Sequence, residues 1–253
     1  MKRFYPLILS SLLIVGCSGE DSASDNASAA EASLSSPSAE PETPLATDLA
    51  RPDANVPANE EGAFPLGWQV RLDRPNAEAI IGADSTADVH MVNMVPGWHF
   101  RTGSPRVILY HPASTATGSY TISSKIHLFD PGQRTEAYGL IFGGSDLDNE
   151  NQTYLYFVIR RTGEFLVKHR VGDDTHVIKN WTANDAIVPY EAGVTEGMAT
   201  NTLSVTVDGK NVAFFVNGEE VHTMTANSPT DGLVGFRFNH SVEAHIETLD
   251  VTM

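Results

Sequence analysis

Tyr154-Leu155-Tyr156-Phe157-Val158-Ile159-Arg160, a break at Arg161-Thr162-Gly163, and then Glu164-Phe165-Leu166-Val167-Lys168-His169-Arg170-Val171 decide how this chain folds. Successive side chains of a strand point to opposite faces, so Leu155, Phe157 and Ile159 make one apolar face while Tyr154, Tyr156 and Arg160 project from the other. The break at Thr162-Gly163 reads as a hairpin turn, because glycine supplies the positive φ such turns need. A further hairpin is expected from Gly172-Asp173-Asp174 into a strand at 176–181.

The period of two continues outward from this hairpin. Ile122, Ser124, Ile126 and Leu128 alternate with Thr121, Ser123, Lys125 and His127. Leu203, Val205 and Val207 alternate with Ser204, Thr206 and Asp208, and Val234, Phe236 and Phe238 with Gly235, Arg237 and Asn239. Other strands are expected at 68–73, 89–95, 98–101, 106–110, 137–143, 212–217, 220–224 and 245–251. Asp208-Gly209 and Asn217-Gly218 are the strongest hairpin signals and set up a three-strand meander. No long amphipathic helix is present; 182–187 could make at most a turn or two, capped by Thr182. Many short strands without a fixed repeat predict an all-β, two-sheet antiparallel sandwich over 64–253. The terminal strand is expected to return beside the one at 68–73.

Composition divides the chain. Residues 18–63 are rich in Ser, Ala, Pro, Glu, Asp and Asn, with ten acidic side chains against Arg51 alone; residues 64–253 hold 22 acidic against 13 basic. The first segment cannot bury a core and reads as a disordered acidic linker, about 40 Å in root-mean-square span. So acidic a body, with no basic stripe, is repelled by phosphate backbones, which argues against nucleic acid as a partner. Cys17 is the sole cysteine. No disulfide, thiolate metal site or cysteine nucleophile is therefore available within 64–253.

Cys17 closes Leu13-Ile14-Val15-Gly16-Cys17, behind Lys2-Arg3 and an apolar stretch too short to span a bilayer comfortably. The pattern resembles a bacterial lipoprotein signal. That resemblance implies a signal peptide over 1–16, lipidation of Cys17, and an exported domain tethered to the cell envelope by the linker at 17–63. Ser18-Gly19 lacks the aspartate of inner-membrane retention, so a Gram-negative source implies the outer membrane.

The strands carry a second resemblance. Ala137-Tyr138-Gly139-Leu140-Ile141-Phe142-Gly143-Gly144, the 154–160 and 163–170 strands, Asn201 to Lys210, Val212 to Gly218 and Asp231 to Phe236 resemble the concanavalin A-like lectin/glucanase jelly roll. They are also similar to laminin G-like domains and 3-keto-disaccharide hydrolases. The chain departs from those hydrolases: it has neither an Asn-Ser-Gly element at 138–142 nor a Tyr-Glu-Val-Gln element later, and it has no glucanase Glu-x-Asp-x-x-Glu strand. The nearest alternation of ionisable groups, and so the candidate for acid–base chemistry, is Glu243, His245 and Glu247, which a half-exposed strand would also produce.

Two further sets of residues point to chemistry. Asp146, Asp148 and Glu150, spaced by two in a glycine-flanked loop, could supply oxygen ligands to calcium, or could be a solvated connection. They do not form an EF-hand, since Asn151 and Phe157 occupy its glycine and glutamate positions. Among the aromatics, Trp98, Tyr110, Tyr154, Tyr156 and Trp181 lie on or beside strands. Tyr154, Tyr156, Trp98 and Arg160 are the candidates for a ligand-binding face, where flat rings could stack on sugars. His169 and His176 could face each other across a hairpin, and His240 and His245 could pair around Ser241. The expectation is a membrane-anchored module binding carbohydrate or another cell-envelope ligand. A glycoside-processing enzyme and a protein-binding adhesion module remain as alternatives.

Overall fold

The computed structural model describes residues 50–103, 105–193 and 196–253. Residues 1–16, where a signal peptide is expected, Cys17 and the expected linker up to residue 49 lie outside the described residues. The strands are, in chain order, β1 (Gln69–Leu72), β2 (Ile81–Gly82), β3 (Val89–Asn93), β4 (Trp98–Thr102), β5 (Val107–Ala116) and β6 (Tyr120–Phe129). There follow β7 (Ala137–Ser145), β8 (Thr153–Arg160), β9 (Glu164–Val171), β10 (Asp174–Ala183) and β11 (Met198–Asp208). The last five are β12 (Asn211–Val216), β13 (Glu219–Thr225), β14 (Gly232–Phe238), β15 (Val242–Ile246) and β16 (Asp250–Thr252). Among the described residues there is no α-helix, and the segment at 182–187 makes turns after the end of β10.

Two sheets result. One has the order β1-β5-β14-β7-β8-β9-β10; the other runs β13-β12-β11-β6-β15-β4-β3-β2, with β16 also on β6. Every pairing is antiparallel except the short β2–β3 contact. The core lies between the sheets and takes one side chain in two from each central strand, as the alternation requires. Leu155, Phe157 and Ile159 are buried there with Leu140, Phe142, Phe236 and Phe238, against Ile122, Ile126, Leu203, Val205 and Phe214 of the other sheet. Phe157 and Phe214 meet across the core at 5.2 Å, and Phe100 stacks on Phe238 at 4.2 Å. Each such side chain contributes about 1.5–3 kcal/mol on leaving water.

The turns follow their residue chemistry. Asn217 (φ 51°) and Gly218 (φ 85°) are the two central residues between β12 and β13, and both take the positive φ of a primed turn. At the preceding hairpin the register Asp208↔Asn211 places Gly209 and Lys210 in the turn, one residue later than the Asp-Gly pair predicts. Gly163 (φ 81°) ends the three-residue loop that pairs Arg160 with Glu164, and Gly172 (φ 55°) turns β9 into β10.

Three expectations are corrected. First, the ending does not return to the strand at 68–73: β1 pairs with β5, whereas β15 lies between β4 and β6. The predicted strand at 245–251 is also split. Ile246 faces Ile126 but Asp250 faces Ser123, so four steps on one chain match three on the other and one extra residue is accommodated. That slip moves the inward set from Val242, Ala244 and Ile246 to Leu249 and Val251.

Second, ordered contact with the sandwich begins before Phe64. Ala54 is buried in the core cluster and Arg51 donates to the Thr115 carbonyl at 2.6 Å. Backbone bonds tie Gly62 and Ala63 to Asn93, and Asn93 Nδ2 donates to Asn59 Oδ1 at 2.6 Å. Composition misjudged this stretch because backbone and asparagine hydrogen bonds attach it, with Ala54 alone of its apolar residues entering the core cluster. Third, Trp98 is not on a binding face. It is 2% exposed and packs on Trp68 at 4.9 Å in the inter-sheet core, because Trp98, Phe100 and Thr102 are the inward set of β4.

Candidate functional site

The outer face of the seven-stranded sheet carries a second, smaller apolar cluster: Ile108, Tyr110, Ala137, Ile141, Leu147, Tyr154, Tyr156, Val158 and Leu166. Alternation puts it there, since the neighbouring residues on the same strands fill the core. The same parity sends Arg237 outward from β14, between Ile108 and Gly139 in register. Arg170 stands opposite Tyr154, and Lys168 opposite Tyr156, on β9.

Asp73, just past the end of β1, organises these groups. Both terminal nitrogens of Arg237 donate to its two carboxylate oxygens at 2.5 Å, and Arg170 approaches at 3.2 Å. Arg237 also donates to the Tyr154 hydroxyl at 2.9 Å and lies 5.4 Å from the Tyr156 ring centre. Both arginines are 4% exposed. Burial pushes the Asp73 carboxyl up, but the Arg237 hydrogen bond and the charges of Arg237, Arg170 and Arg106 outweigh it and hold the group below its usual value. Burial pushes the Tyr156 phenol up to about 12, against the opposing pull of Arg237, so it stays neutral in ordinary buffers.

Above this network opens a cavity of about 810 Å³. Tyr156, Val158 and Leu166 contribute to it from the sheet, Trp181 from β10, and Arg237, Arg170 and Lys168 supply positive charge. Arg74, Arg106, Pro105, Asn239 and His240 complete the rim. Arg160 stacks on Trp181 at 4.3 Å and is paired with Glu164 at 2.6 Å, so it braces the indole from outside.

The predicted binding residues are therefore only partly brought together. Tyr154, Tyr156 and Arg160 lie on the face that alternation assigned them. The two tyrosines are buried rather than exposed, at 1% and 6%, because Leu147, Leu166 and the arginine network cover that face. Tyr156 reaches the cavity, Tyr154 lies beneath it bonded to Arg237, and Trp98 is on the far side of the sheet. Asp73, Lys168, Arg170 and Arg237 were not singled out from sequence. The available signal was Lys168, Arg170 and Arg237 at positions that alternate with the apolar Phe165, Val167, Phe236 and Phe238.

The other predicted groups fall elsewhere. Glu243, His245 and Glu247 lie on the outer face of the nine-stranded sheet. Glu243 pairs with His99 at 3.3 Å, and Glu247 with His127 at 2.7 Å and Lys125 at 3.0 Å. His245 lies between His99 and His127 in register, and its pKa is lowered by burial and then by the neighbouring His127. This is a row of paired side chains along a sheet face. Asp146 accepts from Ser145 at 2.7 Å, Asp148 from Asn149 at 2.9 Å, and Glu150 is exposed. Among the described residues no group of three or more His, Cys, Asp or Glu side chains is placed to hold a metal ion, so the calcium ligand set is not assembled. His169 and His176 do face each other, with ring centres 6.5 Å apart, whereas His240 pairs with Glu136 at 2.8 Å.

No protein-family profile matches this chain, and no curated protein sequence matches it. Solved structures do. The carbohydrate-binding module CBM66 from Bacillus subtilis superposes with a TM-score of 0.53 at 13% identity, covering 74% of this chain and 96% of that one. A Bacillus subtilis protein of unknown function with a galectin-like fold gives 0.52 at 12% identity, covering 73% and 88%. At these identities the likeness concerns the fold, and the chain has the two-sheet sandwich that its strand pattern predicts, of the jelly-roll kind that the resemblance implies.

Proposed function

We propose that this chain is an extracytoplasmic carbohydrate-binding module, tethered through lipidated Cys17, whose ligand lies in the cavity on the outer face of the seven-stranded sheet. One observation carries the reading: Tyr156 and Trp181 share a cavity with guanidinium and ammonium groups, two of which Asp73 fixes in place. Rings bind the apolar faces of sugars, and polar groups fixed beforehand bind hydroxyls without a further ordering cost. The solved carbohydrate-binding module of like fold agrees with this reading and adds only that such a fold can carry it.

Glycoside hydrolysis is less well supported. The cavity's two carboxylates are Asp73, which is committed to two arginines and held ionised, and Asp173, whose side chain is 97% exposed. A general acid needs a raised pKa, and the arginines hold the Asp73 carboxyl in the opposite direction. A glycan array tests the proposal: the domain at 50–253 should retain a defined set of saccharides, and an array blank across neutral and acidic glycans would overturn it. Anchoring is tested separately. Cys17→Ser should move the protein from the detergent phase to the aqueous phase and remove the acyl mass, and an unchanged partition would overturn the tether.

A further inference from the structure

The cavity is a charge inversion. Residues 64–253 carry 22 acidic against 13 basic side chains, yet five of those basic residues, Arg74, Arg106, Lys168, Arg170 and Arg237, line this single cavity with only Asp73 and Asp173 opposing them. Arg160, on the same sheet, is individually compensated by Glu164. In the cavity two buried guanidiniums share one partly buried carboxylate. Asp173 reaches Arg170 only at 3.6 Å and from solvent, where its charge is screened. Arg237 further keeps its Nε buried with no hydrogen-bond partner among the described residues.

Taking the carbohydrate reading as its premise, we infer that the ligand is an acidic saccharide, bearing a carboxylate or sulfate beside the ring that rests on Tyr156 and Trp181. A buried cation in excess of its counterions is costly, and charge-assisted bonds to an oxyanion offset that cost in a way sugar hydroxyls do not. Guanidinium groups suit the planar or clustered oxygens of such anions. Lys168 and Arg106 stand outside the Asp73 pairings, half-buried and exposed, and so meet the anion without holding the fold.

Calorimetric titration of the domain with hexuronate trisaccharides, their carboxyl-reduced neutral counterparts and sulfated neutral trisaccharides tests this. An acidic form should bind at least about tenfold more tightly than its neutral counterpart, and whichever acidic form is preferred identifies the anion. The double variant Lys168→Gln, Arg106→Gln, with its melting temperature checked against the parent, should lose about tenfold more affinity for the acidic ligand than for its neutral counterpart. Equal affinity for neutral and acidic forms, or a double variant that binds the acidic form unchanged, overturns the inference and leaves the carbohydrate reading standing. Absence of binding to any saccharide overturns both.

Discussion

Asp73→Asn is expected to destabilise the domain by about 3–5 kcal/mol at neutral pH, the scale of removing one partner from a buried ion pair. The amide keeps the shape but leaves Arg237 and Arg170 with no buried counter-charge, since Asp173 is almost wholly in water. Urea denaturation with an unchanged m-value measures the loss directly. Acid behaviour gives an independent check. The Asp73 carboxyl is held below its usual 3.8 in the folded state, chiefly by Arg237 against the opposing effect of burial. Its contribution to stability is therefore full above the unfolded value and is lost as pH falls below about 4, through the folded value. The parent should show that acid loss, and Asp73→Asn should show a flatter profile over the same window. A variant as stable as the parent at pH 7 would mean that the arginines are compensated elsewhere.

Leu155→Ala should cost about 2–5 kcal/mol. Leu155 is 1% exposed and sits in the inter-sheet core, where removing its side chain leaves a cavity between two rigid sheets. Thermal or urea unfolding checks the figure, and a benign Leu155→Ala would show the register of β8 to be displaced by one residue. Tyr156 belongs to the opposite face but is also nearly buried, so truncating it perturbs packing as well as the cavity. Trp181, half-buried on β10, is the cleaner probe of binding.

How much of this could be read from the chain depends on what each residue's environment requires. The period of two in Leu155, Phe157 and Ile159, and the glycines at 163, 172 and 218, report local geometry, and those strands and turns appear where they are expected. Local rules could not report the extra residue between Ile246 and Asp250, because a bulge preserves apolar content while changing its parity. Nor could they place Trp98, whose ring fits a surface or a core equally well until Trp68 is found against it. The site was half legible. Alternation gave the face of Tyr154 and Tyr156, but the Asp73–Arg237 contact joins residues from opposite ends of the domain, and single-sequence patterns carry no information about such a pair. The acidic alternation at Glu243, His245 and Glu247 was real but satisfied locally by His99, His127 and Lys125.

Whether a saccharide binds in the cavity beside Tyr156 and Trp181 is open to direct measurement. The direct measurement is a calorimetric titration of the best glycan-array ligand into the parent domain and into Trp181→Ala, after both are shown to be folded. Loss of a stacked ring should weaken binding about tenfold or more, the scale of a dominant contact. Unchanged affinity in a folded Trp181→Ala would place the ligand on another surface and contradict the account.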